Sequence, residues 1–405
     1  MTTRVNAYDA FAAAIDGLRD RARILFAPQT GILLSVAGLT VIGLIAVFSA
    51  SVTVAADRYG NPYFFFNRAL LFAGLGWVAL VVSASVDYRI YARRPKLILL
   101  LAVLALAVVL IPGLGQKVNG ARRWFRVGGF SIQPSEFVKV AMTLYMASLL
   151  TRKKEAVRSF LRGVMPSIIV IGIIFLLIAM QPDYGTALLI STTMFVMLFV
   201  SGMQVKHLGL MAAAALPAVG YMIFFRADYI VKRVQAFIRS DLGDTGVNYQ
   251  QDIALMGIGR GGIFGRGIGG GMLSKHYLPE AHNDFVLAVI AEETGLIGVL
   301  AVIALFALLL ISAVRIFRRA TDDFAAFASL GLSFTILAQA IINIAVATKS
   351  MPNKGIALPF VSYGGSGMIA SCIALGILIN IASRLETDDR RKNAKRTTTD
   401  ERQTA

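Results

Sequence analysis

The sequence predicts an all-α integral membrane protein, a polytopic bundle of about ten transmembrane helices. Hydrophobic residues make up 57% of its 405 residues and charged residues only 16%, and the mean hydropathy is +0.69. A soluble chain of this length carries far more charge. The apolar residues are gathered in runs of about 20, the length that an α-helix needs to cross the hydrocarbon core. No soluble domain remains between these runs, so any chemistry takes place in or on the membrane.

Ten apolar segments have the composition of spanning helices. They are residues 31–50, 67–86, 96–112, 135–151, 163–180, 185–202, 208–225, 284–314, 325–348 and 364–383. The eighth is long enough to tilt or to contain a break near Gly295 and Gly298, which leaves the count open by one helix. The segments form a membrane domain, residues 31–383, with a large extracytoplasmic loop, residues 226–283, between helices seven and eight.

The basic residues set the orientation of the chain. Most Lys and Arg residues fall in segments that are cytoplasmic if the N-terminus is cytoplasmic, among them YRIYARRPK, TRKKEAVRSFLR and RIFRR. The short outer segments 51–66 and 181–184 hold only Arg58. This distribution satisfies the positive-inside rule and predicts that both termini are cytoplasmic.

Both ends of the chain are predicted to be peripheral. Residues 1–30 place apolar side chains at helical spacing on one face and Arg and Asp on the other, which indicates an amphipathic helix on the inner membrane surface. Residues 384–405 are polar and basic, and we predict that this cytoplasmic tail is disordered. The single cysteine, Cys372, lies in the last span, so no internal disulfide is possible.

Two outer loops are unexpectedly basic for the outer side. The loop 113–134 carries Lys117, Arg122, Arg123 and Arg126, and the loop 226–283 carries several more cations. One interpretation is anchoring to anionic lipid headgroups. The other is a surface that receives an anionic substrate, and the two coincide if the substrate is a lipid phosphate.

The segment GIGRGGIFGRGIGGG, residues 257–271, contains two G-x-G-x-x-G matches. Neither match follows a strand of a βαβ unit, and the outer face offers no pool of nucleotides, so we reject a dinucleotide site. We expect these glycines to allow tight backbone turns or the close approach of a ligand.

Three charged residues lie at or near the outer ends of predicted helices. In SIQPSEFVKV, Pro134 stands at the first helical position, and Glu136 and Lys139 are three residues apart on one face. They form either an internal ion pair or part of a site. In QPDYGTA, Asp183 either caps the next helix or faces a polar cavity shared with Glu136.

A fourth charged residue, Asp284, stands where YLPEAHNDFVLAVIAEETG, residues 277–295, enters the eighth span. An ionisable group at this position is a candidate functional residue, and a plain helix cap is the alternative. His276 and His282 lie nearby, but they do not make a zinc motif. Glu292 and Glu293 lie deeper in the same span and need partners.

Four segments carry a resemblance to a known family. NGARRWFRVGGFSIQPSEFVKV, QPDYGTA, YLPEAHNDFVLAVIAEETGLIG and MPNKGIALPFVSYGGSG resemble, in this order, the signature segments of the shape, elongation, division and sporulation (SEDS) family. The resemblance covers residues 31–383, and the segment LPEAHNDF looks more like the division branch than the elongation branch. Gly367 stands where the family usually has Ser, and Lys349 and Asn353 also depart from the pattern. We expect none of these three to contact the carboxylates.

The resemblance implies a peptidoglycan glycosyltransferase in the bacterial cytoplasmic membrane. Family members polymerise lipid II, a disaccharide-peptide on undecaprenyl pyrophosphate, at the outer face. They work with a class B penicillin-binding transpeptidase and other membrane proteins of the division machinery, and no nucleic acid is involved. Position by position, Asp284 matches the essential aspartate of the family.

The resemblance also implies substrate contacts around a central cavity. The residues concerned are Glu136, Lys139, Asp183, Arg122, Arg123, His282, Lys354, Ser362 and Tyr363. A carboxylate at the membrane surface suits a general base for the attacking sugar hydroxyl, and positive charge suits the departing pyrophosphate. That charge comes from Arg122, Arg123, Lys139, a divalent cation such as Mg²⁺ or Mn²⁺, or a mixture. The sequence leaves metal dependence open.

Two other functions use the same features. A flippase for lipid II would use the same cavity and the same intramembrane charges, but it should show related halves or broken helices around a midplane site. A non-catalytic division scaffold would explain the amphipathic N-terminus and the basic tail. It would leave the four membrane-embedded charges Glu136, Lys139, Asp183 and Asp284 without a role.

Overall fold

The computed structural model describes residues 27–118, 121–127, 130–154, 156–207, 209–210, 213, 249–272, 278, 281–353 and 355–404. The amphipathic helix predicted for the N-terminal segment lies outside these residues, apart from the last few positions of that segment. Within the described residues the chain is mainly α-helical.

The helices, in chain order, begin and end as follows. They are α1 (Pro28–Tyr59), α2 (Phe64–Ser85), α3 (Tyr88–Arg93), α4 (Pro95–Leu110), α5 (Pro134–Arg152), α6 (Met165–Ala179), α7 (Tyr184–Val200), α8 (Tyr249–Gly261), α9 (Val286–Arg319), α10 (Asp323–Ala347) and α11 (Gly365–Thr404). A 3₁₀ turn, Ala156–Arg158, and a π-helical turn, Phe160–Val164, lead into α6.

Six of the described helical segments are long and apolar enough to cross a membrane, judged by length and composition. Two shorter apolar helices, α4 and α7, accompany them. Every predicted span except the seventh, residues 208–225, overlaps a described helix. The seventh lies almost entirely outside the described residues, so the count of about ten helices stays a prediction.

The interior of the bundle is formed by α5, α10 and α11. The apolar windows of α10 and α11 are largely buried, whereas α2 exposes most of its apolar window. Helix α2 packs mainly on α11, α1 packs on α9, and α5 contacts both α4 and α10. The charged pair of α5 therefore lies inside the bundle, next to α10.

The basic loop 113–134 forms a small antiparallel sheet that the sequence analysis did not predict. Its strands are β1 (Gln116–Val118), β2 (Ala121–Val127) and β3 (Phe130–Ile132), in the order β1-β2-β3. The dipeptides Asn119–Gly120 and Gly128–Gly129 in the sequence are typical of hairpin turns and could have indicated it. Pairing of the strands satisfies backbone groups of this segment.

Helix α9 is broken at Gly295, one of the two positions at which the sequence predicted a break. Gly295 has φ 67° and ψ −160°, a conformation that favours glycine. A break inside the membrane leaves backbone groups without helical partners, and each such group is costly in hydrocarbon. The glycine-rich segment 262–267 supplies the missing partners.

The hydrogen bonds at the break run in both directions. Arg266 N donates to Glu292 O (3.0 Å) and Gly267 N donates to Glu293 O (2.9 Å), which satisfies the end of the first half of α9. Leu296 N donates to Gly262 O (2.9 Å), which satisfies the start of the second half. The inserted segment thus replaces the helical hydrogen bonds that the break removes.

The glycines of this segment allow close approach of one backbone to another. A Cβ atom on Gly261 would lie 1.8 Å from Ala291 O, and one on Gly265 would lie 2.1 Å from Glu293 O. The sequence predicted that these glycines allow tight turns or the close approach of a ligand. In the structure the group that approaches Gly261 and Gly265 closely is the backbone of α9. The buried carboxylates beside the break also have partners: Glu292 accepts from Met272 N (2.9 Å) and Glu293 accepts from the Ser49 hydroxyl.

Helix α11 continues through the tail for which the sequence predicted disorder. Its last residue is Thr404, so the tail 384–404 is helical in the structure. A helix that is already nucleated adds residues at little cost, and the Glu, Lys, Arg and Ala residues of the tail are good helix formers. Composition alone, which guided the prediction of disorder, does not account for this continuation.

Replacing Gly265 by Ala should destabilise the fold. Gly265 has φ 78°, and the added Cβ would collide with the carbonyl of Glu293. We expect a loss of about 1–3 kcal/mol in the free energy of unfolding, seen as a lower midpoint of thermal unfolding in detergent. The control is Gly172→Ala in α6, where no atom lies within 4 Å of the added Cβ. Equal midpoints for the two variants would contradict this account of the break.

Candidate active site

Asp284 lies in the turn 281–285 that precedes α9. The N-cap of α9 is Phe285, and the helix begins at Val286, two residues later than the start of the predicted span. Asp284 therefore precedes the cap position, and the alternative of a plain N-cap is not supported. Its side chain is half-buried at the end of the helix.

The main chain of Asp284 is held by Asn343 of α10. The Asn343 side-chain amide donates to Asp284 O (2.8 Å) and to Ile356 O (2.7 Å), and the residue is 1% exposed. One amide group thus joins the turn that carries Asp284 to the loop that follows α10.

Gly355 brings that loop against the carboxylate. It has φ +60°, and a Cβ atom built on it would lie 3.2 Å from Asp284 Oδ2. The glycine allows both the left-handed backbone and the close approach. The carboxylate of Asp284 is therefore flanked by backbone of the loop 355–357.

Glu136 and Lys139 form the ion pair that their spacing predicts. Lys139 Nζ lies 2.8 Å from Glu136 Oε2, and the two side chains are 6% and 13% exposed. Lys139 Nζ also donates to Gln339 Oε1 (2.6 Å), and Gln339 Nε2 donates to Ala357 O (2.8 Å). Pro134 stands at the first position of α5, as predicted, and Glu136 and Lys139 follow in the first two turns of the helix.

A small, partly open cleft lies beside this pair. Its lining includes Glu136, Lys139 and Gln339, together with Thr335 and Ser371. Charged groups inside a membrane bundle are rare. The arrangement places a paired ammonium and carboxylate beside a small cleft with several polar residues in its lining.

Gly367 contacts the carboxylate of Glu136, contrary to our expectation from the sequence. A Cβ atom at this position would lie 3.0 Å from Glu136 Oε2. This oxygen is buried and, although it is close to the ammonium, it has no aligned hydrogen-bond donor in the described part of the chain. A serine at position 367 would bring a hydroxyl to it.

Of the two roles considered for Asp183, the structure shows the helix cap, and Asp183 is not among the residues that line the cleft beside Glu136. It is the N-cap of α7, where its side chain accepts from Thr186 N (3.3 Å). It also accepts from Gln133 Nε2 (3.2 Å), the residue immediately before α5. The cap and the link to α5 fix Asp183 next to the helix that carries Glu136.

Arg123 holds the sheet to the bundle. Its guanidinium donates to Gln181 O (2.8 Å) and to Pro182 O, the two residues before Asp183. Part of its donor capacity is therefore used by the protein. Arg122 points to the opposite face of β2, where its cross-strand neighbour is Lys117, so this face is the more cationic one.

The remaining predicted residues lie around the turn of Asp284 or outside the described chain. His282 is 3% exposed and packs with the rings of Phe65 and Tyr363, at 4.6 Å and 5.5 Å between centroids. Tyr363 N donates to His282 O (2.9 Å). The Ser362 hydroxyl accepts from Leu358 N (2.8 Å). Lys354 lies outside the described residues.

Ser362 and Tyr363 also line a second cleft. It is a partly open cleft between α1, α2 and the segment that precedes α11, and most of its lining is apolar. Phe72 of α2 and Val47 of α1 contribute to the walls. The predicted residues thus fall into one group around Lys139 and another around Asp284, and α10 connects the two groups.

Sequence reasoning missed Gln339 and Asn343, the residues of α10 that make this connection. They are four residues apart, so they lie on one face of the helix. The signal was present: two side-chain amides inside the apolar stretch AQAIINIAV need partners in the membrane. Because an amide carries no charge, it is a weaker signal in the sequence than the carboxylates and Lys139.

The loop after α10 is also held by α8. The Gln251 amide donates to Val346 O (2.9 Å) and Met351 O (2.8 Å), and Lys349 pairs with Asp252 at 2.5 Å. Lys349 has φ +54°, so the ion pair accompanies an unusual backbone conformation at the end of α10. Neither Gln251 nor Asp252 was singled out from the sequence.

The described residues do not gather a metal site. Nowhere in the described part of the chain do three His, Cys, Asp or Glu side chains come close enough to hold an ion. Mg²⁺ is usually held by only one or two carboxylates together with waters and substrate phosphates. A divalent cation that binds together with the pyrophosphate therefore stays a prediction, and we derive no chemistry through one.

Residues 30–387 match the family model described as cell cycle protein, of the FtsW, RodA and SpoVE group. The chain is 40% identical over 355 residues to a probable peptidoglycan glycosyltransferase FtsW of Trichlorobacter lovleyi, which covers 88% of this chain and 93% of that protein. It is 39% identical over 347 residues to the stage V sporulation protein E of Bacillus subtilis, covering 85% and 94%.

Two solved structures share the fold. One, from a study of how a peptidoglycan synthase complex coordinates polymerization and crosslinking, matches with a TM-score of 0.72 at 26% identity, covering 88% of this chain and 97% of that chain. The rod shape determining protein RodA of Thermus thermophilus matches with a TM-score of 0.62 at 25% identity, covering 87% and 96%. The fold class predicted from the sequence is confirmed.

Replacing Glu136 by Gln should lower stability strongly. The substitution leaves the buried ammonium of Lys139 with Gln339 as its remaining described partner. Loss of one member of a buried pair typically costs about 3–5 kcal/mol, measurable by thermal unfolding in detergent. The control is Lys154→Met, which removes the ion pair between Lys154 and Asp323. These two side chains are 63% and 41% exposed, so the unfolding midpoint should change little. A similar small effect of both substitutions would contradict the structural role of the buried pair.

Proposed function

This chain belongs to the FtsW, RodA and SpoVE family, and from that membership we propose that it polymerises lipid II into β-1,4-linked glycan strands during cell division. It is a multi-pass membrane protein and a peptidoglycan glycosyltransferase. One observation supports the catalytic assignment most: Asp284 lies ahead of the cap of α9, and its turn is held by a buried amide. We propose that the reaction takes place at the outer face of the cytoplasmic membrane.

In the proposed reaction, the 4-hydroxyl of the acceptor sugar attacks the anomeric carbon of the lipid-linked donor. A glycosidic C–O bond forms, the bond between that carbon and the pyrophosphate oxygen breaks, and the bonding electrons leave with the pyrophosphate. Asp284 accepts the hydroxyl proton as the general base. With one base, no evident nucleophile and an α-linked donor, the displacement inverts the anomeric centre and gives a β linkage.

The departing pyrophosphate gains negative charge and needs cations nearby. We propose Arg122 for this role, because it lies on the more cationic face of β2. Lys139 is a weaker candidate, since its buried ammonium is already paired with Glu136 and bonded to Gln339. Arg123 is also a weaker candidate, since its guanidinium already donates to Gln181 and Pro182.

The proposal includes partners and an orientation. A class B penicillin-binding transpeptidase would crosslink the glycan strands that this chain makes, as polymerization and crosslinking are coordinated in the solved complex to which it is similar. Both termini would be cytoplasmic, with the sheet 116–132 and the turn of Asp284 at the outer face. The distribution of Lys and Arg supports this orientation.

A flippase is the main alternative, because α9 is a broken helix and transporters use broken helices around midplane sites. In transporters the freed backbone groups face a ligand. Here Gly262, Arg266 and Gly267 occupy those groups, so the break does not provide a ligand site. A non-catalytic scaffold would leave the polar network around Asp284 and Lys139 without a role.

The proposed orientation can be tested by labelling single cysteines. With Cys372 replaced, a cysteine at Lys117 should react with an impermeant maleimide in intact spheroplasts, because β1 is assigned to the outer face. A cysteine at Arg391 should react only after lysis. The reverse pattern would mean that the chain has the opposite orientation in the membrane. Asp284 would then not face the compartment in which the glycan strands are made.

Replacing Asp284 by Asn should nearly abolish polymer formation from purified lipid II. The substitution keeps size and hydrogen bonding but removes basicity, and loss of a general base typically lowers the rate about 100- to 10,000-fold. Binding of the donor and the thermal unfolding midpoint should stay close to the wild-type values. Gel electrophoresis of the glycan products measures the outcome.

The matched control is Asp322→Asn. Asp322 is a true N-cap that accepts from Ala325 N (2.7 Å) at the start of α10, and Asn caps as well as Asp. This variant should polymerise normally. Full polymerisation by a folded Asp284→Asn variant would refute the catalytic assignment, and absence of polymer from the wild type in detergent would favour the flippase.

A further inference from the structure

We propose that Gln339 and Asn343 are positioning residues, which transmit the placement of the Glu136–Lys139 ion pair to the carboxylate of Asp284. The inference rests on the proposed role of Asp284 as the base. It assigns a function to two buried amides that belong to neither charged group.

The first step is the spacing of the two amides. Gln339 and Asn343 stand one helical turn apart on α10 and are 6% and 1% exposed. They donate to the carbonyls of consecutive residues, Gln339 to Ala357 and Asn343 to Ile356. The strand of loop that begins at Gly355 is therefore fixed at two adjacent points on the face of one helix.

The second step is the orientation of the Gln339 amide. Its oxygen accepts from the Lys139 ammonium (2.6 Å), and its nitrogen therefore points to Ala357 O. A flipped amide would set its NH₂ group against the ammonium and its oxygen against a carbonyl, and both contacts are repulsive. The charge on Lys139 thus fixes which end of Gln339 faces the loop.

The third step is the use of the Asn343 amide. Both of its hydrogens are committed, one to Ile356 O and one to Asp284 O, whereas its oxygen is buried with no hydrogen-bond partner in the described residues. A buried acceptor without a partner is costly. The contribution of Asn343 to this region is therefore donation to the two segments that flank the carboxylate.

These contacts form a continuous path from one charged group to the other. Lys139 fixes the orientation of the Gln339 amide. The amides of Gln339 and Asn343 then hold the loop in place, and Gly355 of that loop lies against the Asp284 carboxylate. A displacement of a catalytic group by about 1 Å can lower a rate about 100-fold. Loss of an amide should therefore reduce turnover without removing any group that contacts substrate.

A double-mutant cycle on Lys139→Met and Gln339→Met tests the path. Each single variant should lower kcat about 10- to 100-fold, with a KM for lipid II within about twofold of wild type. The double variant should be no slower than the slower single variant, because both substitutions interrupt one path. The proposal would be overturned if the reductions in kcat of the two single variants multiply in the double variant and KM is raised. Lys139 would then act on the substrate directly.

Asn343→Leu gives a second test that leaves the ammonium of Lys139 paired. The matched control is Asn380→Leu in α11, another buried amide, which donates to Ala84 O (2.7 Å) and accepts from Tyr88 N (3.0 Å) far along the chain from the site residues. Both variants should lose stability, but only Asn343→Leu should lower kcat per folded molecule. Equal kcat values for the two variants would overturn the proposal.

Hydrogen–deuterium exchange provides a readout that does not depend on activity. In Gln339→Met and Asn343→Leu, amides of residues 355–362 should exchange at least about tenfold faster than in wild type, while in Asn380→Leu they should not. Unchanged exchange in both site variants would overturn the positioning role. If Asp284→Asn proves fully active while exchange still responds, the catalytic assignment fails and the positioning of the loop stands.

Discussion

The bilayer interior supplies no water to an unpaired polar group, and the rest of this structure follows from that constraint. Two departures from regular helix in the described part of the chain show how other segments of the chain meet this requirement. The break at Gly295 is filled by residues 262–267, whose backbone groups take the place of the lost helical hydrogen bonds. The loop after α10 is held by the side-chain amides of Gln339 and Asn343.

This constraint also explains why the charged residues are held so firmly. A membrane-embedded Lys139 requires a carboxylate and further hydrogen bonds, and it finds both in Glu136 and Gln339. The same requirement ties Asp183 to Gln133 and to the start of α7. A site built in this way is rigid and preorganised, which suits group transfer more than the alternating access of a transporter.

The sequence predicted the parts of the fold that depend on composition and spacing. The long apolar runs gave the helices, and the three-residue spacing of Glu136 and Lys139 predicted their ion pair, because both signals are local. The length of the eighth span and its glycines predicted the break. The hairpin at 116–132 could have been predicted as well, since turn dipeptides flank the alternating stretch ARRWFRV.

The connections between distant segments were not predictable from one sequence. The pairing of Arg123 with Gln181, of Glu293 with Ser49, and of Asn343 with Asp284 depends on which helices pack together. Gly367 shows the same limit, because its contact with Glu136 joins α5 and α11. Side-chain periodicity within a helix gives no information about its neighbour.

The pH dependence of polymerisation tests the role of Asp284 most directly. We would measure kcat/KM for lipid II, from neutral to acidic pH, with the folded wild type and with the folded Asp284→Asn variant. If Asp284 is the general base, the wild-type rate should fall about tenfold per pH unit on the acid side, because protonation removes the base. The residual rate of the variant should be flat over the same range. An identical acid limb in both proteins would contradict the account, since the titrating group would then lie elsewhere.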